Sequence, residues 1–190
     1  MLKLFRRIPA FRLTHLSKAD KVGHKTQGNC KDLVKRYLGL KNRCFLLIAT
    51  GLFIGYLPGT PGTYATIAVA FIYYFLPEGH YIFYTFLIAL PIGIISADRS
   101  EKVFGIKDSR QIVIDEILGF WLAMCGLPKG WFNIVFGVIF FRLFDILKPF
   151  PIKRLESLSG GFGIVIDDLV AGLYTLIILK ALAQMIKGLP

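Results

Sequence analysis

From residue 44 onward the chain is a succession of apolar runs cut by short polar breaks. "CFLLIATGLFIGYL" (44–57) stops at Pro58 and falls short of the ~20 residues that a spanning helix needs. "PGTPGTYAT" (58–66) reads as a loop or a series of turns. "IAVAFIYYFL" (67–76) and "YIFYTFLIALPIGIISA" (81–97) follow, separated by "PEGH". After the polar segment 98–111 come "IVIDEILGFWLAMCGL" (112–127) and "WFNIVFGVIFFRLFDIL" (131–147), joined by "PKG". A polar linker, 148–163, leads into a last apolar run, 164–186. Period-2 alternation is absent and the runs are long, so they predict helices. The expected fold is all-α: a multi-helical, membrane-associated bundle with short or re-entrant spans.

Composition agrees with that class. Hydrophobic residues make up 55% of the chain and charged ones 18%, with a mean hydropathy of +0.60, on the membrane side of ordinary globular usage. The charge is lopsided. Residues 1–43 hold 12 Lys+Arg against Asp20 and Asp32, and the remainder is almost neutral. Two domains are therefore expected, a basic N-terminal arm (1–43) and a helical membrane domain (44–190). Ahead of apolar spans, the arm reads as a cytoplasmic segment held to anionic headgroups or as a solubilising tail, with no nucleic-acid partner expected. No short apolar core follows a brief basic start, so the N-terminus does not read as a signal peptide. Cys30, Cys44 and Cys125 show no paired spacing, which gives neither a disulfide framework nor a zinc site. Cys30 and Arg36 have the C-x5-R spacing of cysteine-dependent phosphatases. The intervening "KDLVK" is too bulky to wrap a phosphate.

The distribution of Lys and Arg selects a topology. If the arm is cytoplasmic and 44–57 dips into the membrane without crossing, segments 58–66, 98–111 and 148–163 share the cytoplasmic side. Arg99, Lys102, Lys107, Arg110, Lys148, Lys153 and Arg154 then lie inside with the arm, and only Lys129 and Lys187 lie outside. That is a strong positive-inside bias.

In this arrangement the unusual charges converge. Asp115 and Glu116 lie about one turn into a helix leaving the cytoplasmic face, as do Asp167 and Asp168 in another. Arg142, Asp145 and Lys148 occupy the last two turns of a helix arriving there, with Arg142 and Asp145 on one side. "IVIDEILG" and "IVIDDLVAG" echo each other, each with a carboxylate four residues before a glycine (Gly119, Gly172), so that backbone or ligand can come close. Oxygen-only ligands select hard cations such as magnesium. His15, His24 and His80 all lie elsewhere. Arg142 and Lys148 can hold a phosphate that carboxylates alone would repel, and backbone N–H groups in "PGTPGT" can help to cradle it.

"LLIATGLFIGYLPGTPGTYATIA", "IKDSRQIVIDEILGFW", "FRLFDILKPFPI" and "GGFGIVIDDLVAG" resemble, in order, the four blocks of the phosphatidylglycerophosphatase A family, over roughly residues 45–175. The glycine usual two positions after the Pro-Gly-Thr triplet is here Ala65. The resemblance implies a magnesium-dependent hydrolase of the bacterial inner membrane, and the distribution of Lys and Arg puts its active site on the cytoplasmic side. It would remove the terminal phosphate of phosphatidylglycerophosphate to give phosphatidylglycerol. On this reading Asp115, Glu116, Asp167 and Asp168 bind one or two magnesium ions, with Asp168 also catalytic. Asp145 completes the metal shell or acts as base. Arg142 and Lys148 anchor the phosphate, with Gly62, Thr63 and Lys107 as further substrate-binding candidates. Two rivals predict different things. An ion-coupled transporter would spread its carboxylates through the membrane depth, and a non-catalytic adaptor would depend on the arm instead of the carboxylates.

Overall fold

The helices follow the apolar runs in order but not always in extent, and the computed structural model describes residues 40–77, 79–155 and 157–187. All regular elements among the described residues are helical. Most of the basic arm predicted over 1–43 lies outside them, as do Cys30 and Arg36.

Helix α1 (Leu40–Ala49) ends in a sharp reversal. Gly51, Leu52 and Phe53 take φ of 54°, 54° and 77° in succession, and a single 3₁₀ turn, Ile54–Tyr56, follows. The Ala49 carbonyl accepts from the Val113 N–H at 2.8 Å, which ties this reversal to the chain entering α4. The run 44–57 is thus broken in two, in keeping with the short, re-entrant character expected of it.

Helix α2 (Pro61–Phe75) starts earlier than the sequence suggests. The stretch 58–66 was expected to be all loop, but only 58–60 is. Proline at the first helical position loses no hydrogen bond and has its φ already set, and Thr66 Oγ1 donates to the Gly62 carbonyl at 2.9 Å within the first turns. Helix α3 (Tyr81–Phe104) likewise runs past its apolar stretch, to a left-handed Gly105 at φ 67°. Asp98 and Lys102 are therefore helical and pair at 2.6 Å.

Helix α4 (Ile114–Ala123) is shorter than the 112–127 run implied, because the chain turns at Met124–Gly126, where Gly126 has φ 72°. Helices α5 (Trp131–Leu147), α6 (Ile152–Leu155) and α7 (Gly160–Lys187) complete the chain. At 1.5 Å per residue, α2, α4 and α5 are about 22, 15 and 25 Å long, short of the ~30 Å of a bilayer's hydrocarbon. Among the described residues α3 and α7 are the two helices long and apolar enough, by length and composition, to cross a membrane.

Helix α7 is the spine, packed on α4, α3 and α5, while α1 lies on α3 and α2 on α4. Phe120, Phe141, Leu118, Met124 and Leu179 are fully buried among them. Where α4 crosses α7, two glycines meet. A Cβ on Gly172 would strike the Gly119 carbonyl, and one on Gly119 would stand 2.6 Å from the Asp168 carbonyl oxygen. The backbones touch with no side chain between them. Outside, Phe71, Phe75, Ile88, Trp131 and Ile146 are all more than 60% exposed. An apolar exterior of that extent suits contact with lipid.

Candidate functional site

The Gly119–Gly172 crossing places the two carboxylate pairs side by side. Asp115 and Glu116 stand in the first turn of α4, where the helix dipole favours negative charge. The sequence placed Asp167 and Asp168 one turn into their helix. They are two turns in, because α7 begins at Gly160, four residues before the apolar run. Asp115 and Asp168 are buried, Glu116 is half-buried, and one oxygen from each lies within 4.8 Å of the others. The Asp145 side chain reaches Asp168 from the last turns of α5, and that of Glu116 reaches Asp115. Carboxylates this close repel unless a cation or a proton lies between them.

Two of the cationic groups come from α5. Arg142 Nη1 is 2.6 Å from Asp145 Oδ2, and both side chains are more than four-fifths buried. Lys148 caps α5 in the left-handed conformation, φ 42° and ψ 60°. That turn directs its Nζ to Asp167 Oδ2 at 3.1 Å. Helix α2 closes the fourth side. Gly62 lies so near Glu116 that a Cβ there would collide with Oε1 and sit 3.3 Å from Arg142 Nη1. At Gly62 the absence of a side chain is what lets α2 approach the acidic cluster.

Together these groups frame a cavity of about 230 Å³. Of the residues expected at the site, Asp115, Glu116, Asp145, Asp167, Asp168, Arg142, Lys148 and Gly62 line it. Thr63 and Lys107 do not; the Lys107 Nζ lies 3.4 Å from the Ser157 carbonyl. Two charged residues the sequence reading passed over do line it, Asp108 and Arg110, from the loop before α4. Asp108 sits at φ 47°, a left-handed setting that aspartate tolerates better than most non-glycine residues. The "PGTPGT" segment contributes Gly59, Thr60, Pro61 and Gly62, as a short loop running into the first turn of α2 and not as the all-loop segment expected.

With every group ionised, six carboxylates face three cations in this cavity, a formal charge of −3. Such a space repels a phosphate until further positive charge enters. Glu116 Oε2 and Asp167 Oδ1 are buried without a hydrogen-bond partner among the described residues. Orphan acceptors beside an all-oxygen donor set suit a hard divalent cation.

Several known proteins are similar to this chain over about three-quarters of its length. A protein of Bacteroides thetaiotaomicron named "Putative phosphatidylinositol-3-phosphatase" is 30% identical over 161 residues, which is 78% of this chain and 100% of that one. Phosphatidylglycerophosphatase A of Escherichia coli is 34% identical over 146 residues, covering 75% of this chain and 84% of the relative. The Haemophilus influenzae protein of the same name is 34% identical over 141 residues, 72% and 86% of the respective chains. No solved structure gives a significant match. Residues 47–183, which hold the whole acidic cavity, match the family "Phosphatidylglycerophosphatase A", and the chain belongs to that family.

Proposed function

We propose that this chain hydrolyses the terminal phosphate of phosphatidylglycerophosphate to give phosphatidylglycerol, with magnesium as cofactor, in a bacterial inner membrane and with its cavity open to the cytoplasm. Family membership makes it a phosphatase. The observation that carries the specific reading is the convergence of Asp115, Glu116 and Asp168 beside Arg142 and Lys148 in one cavity. The cytoplasmic orientation rests on the positive-inside distribution of Lys and Arg.

Asp115, Glu116 and Asp168 would hold the metal, with Asp167 beside them. Bound there, magnesium would activate water and shield the phosphoryl oxygens. Arg142 and Lys148 draw in the phosphate and orient it. Asp145 holds the Arg142 guanidinium in place and, with Asp168, faces the reacting water, so that one of the two accepts its proton. As the bond from the water oxygen to phosphorus forms, the ester bond to glycerol breaks and the proton ends on the glycerol oxygen. The transporter alternative finds no support among the relatives.

The test is phosphate release from phosphatidylglycerophosphate in detergent micelles, set beside phosphatidylinositol 3-phosphate at equal surface concentration. Preferential release from phosphatidylglycerophosphate is expected. Preferential release from the phosphoinositide would move the substrate to the class named for the Bacteroides relative.

A further inference from the structure

The two helices that bring Gly62 and Arg142 to the acidic cavity also enclose a second space farther along their length. It measures about 510 Å³ and is lined by apolar side chains of α2 and α5, among them Ile67, Phe71, Phe75, Trp131, Ile134 and Val138. Apart from the ring-borne Tyr74 hydroxyl and the Trp131 indole N–H, its lining side chains are hydrocarbon. Gly62 lies beside Arg142 at one end, and the Lys129 Nζ just ahead of α5 donates to the Tyr74 carbonyl at the other, so α2 and α5 run antiparallel with the space between them. Phe71, Phe75 and Trp131 form its rim and are 66–74% exposed.

Two geometric facts connect this groove to the acidic cavity. Its near end, at Ile67 and Ile139, begins five residues from Gly62 on α2 and three from Arg142 on α5, only about 4–8 Å along the helices. Its far end, at Trp131, lies 11 residues from Arg142, or about 16 Å, close to the ~15 Å hydrocarbon depth of a single leaflet. Polar cavity and apolar groove thus follow one another with the spacing of a phospholipid's head and tail.

We infer that the α2–α5 groove seats an acyl chain of the lipid whose phosphate occupies the acidic cavity. This rests on the proposed lipid substrate and deepens it. The groove offers an acyl chain no hydrophobic gain, since the surrounding bilayer is equally apolar. Its contribution is orientation: a chain lying between α2 and α5 holds the headgroup over Asp168 and Arg142 while the bilayer stays undisturbed. Bulky side chains in the groove should therefore slow the reaction of the full lipid far more than that of its headgroup alone.

The experiment uses the full chain in phosphatidylglycerol-free vesicles. A phosphatidylglycerophosphate with a photoactivatable diazirine in one acyl chain is set against diacylglycerol carrying the same chain, and the labelled peptides are mapped by mass spectrometry. The phosphorylated lipid is expected to label α2 and α5 at least fivefold more than diacylglycerol does, and Val138→Trp and Val135→Trp should each abolish that excess. The two variants should also lower, at least tenfold, the ratio of kcat/KM on long-chain substrate to kcat/KM on the deacylated headgroup. Equal labelling by the two lipids would mean that bulk lipid fills the groove, and an unchanged ratio in both variants would mean that the reaction ignores it. Either result overturns the inference. Selective labelling without phosphate release from the wild-type chain would instead overturn the proposed reaction and leave the groove assignment standing.

Discussion

Replacing Gly119 by alanine tests whether the close crossing of α4 and α7 holds the acidic cluster together. The added Cβ would stand 2.6 Å from the Asp168 carbonyl oxygen and 2.7 Å from Phe141 Cε2, whereas ordinary contact begins near 3.4 Å. The nearer obstacle is backbone, which cannot rotate aside, so the helices have to part by about 0.8 Å. Overpacking of this kind costs ~1–3 kcal/mol, or about 2–12 °C in Tm for a chain of this size. The same displacement carries Asp168 away from Asp115 and Glu116, and a shift near 1 Å in a catalytic constellation costs ~100-fold in rate. Gly130→Ala is the control, because nothing lies within 4 Å of its Cβ and its φ of −170° is ordinary extended backbone. It should change stability by less than ~0.5 kcal/mol. The assays are phosphate release in micelles and thermal unfolding in the same detergent. Wild-type turnover and Tm in Gly119→Ala would refute the idea that this crossing positions the site.

Other substitutions separate the contributions of charge, packing and backbone. Gly62→Ala crowds the end of the Glu116 side chain and not a backbone, so activity should fall ~10- to 100-fold with Tm nearly unchanged by thermal unfolding. Lys148→Asn keeps a residue that tolerates the left-handed cap but leaves Asp167 facing the phosphate without its cation. KM should rise about tenfold with the fold intact, and an unchanged KM would remove Lys148 from substrate binding. The Lys102–Asp98 pair lies on the surface, with Lys102 68% exposed, so Lys102→Ala should cost less than ~1 kcal/mol and leave turnover unaltered in the same assays.

The sequence made the convergence of charges legible because it rests on short-range regularities. Helical spacing fixes Arg142 and Asp145 on one side, and the placement of carboxylates near the starts of two apolar runs puts Asp115 and Asp168 at one end of the bundle. The paired glycines signalled a close approach; that each would receive the other helix's backbone depends on long-range packing, which no local pattern encodes. The helix starts were obscured for a different reason. Proline and glycine at 61–62 read as a turn, yet proline at a first helical position is also how a helix begins. The short α4 was hidden by continuous hydrophobicity through Met124 and Cys125, with Gly126 and then Pro128 the first stop signals after it. Asp108 and Arg110 were missed because a loop has no period, so its side chains can be assigned to a cavity only once its path is known.

The central claim is that Asp115, Glu116 and Asp168 hold the divalent cation on which phosphate release depends. The most direct measurement is phosphate release from phosphatidylglycerophosphate by the purified wild-type chain and Asp168→Asn, each titrated with magnesium and then treated with excess EDTA. The expected result is release that rises with magnesium and vanishes with EDTA in the wild type, and falls by at least a hundredfold in the folded variant at saturating magnesium. Full turnover of Asp168→Asn, or undiminished wild-type release in EDTA, would contradict it.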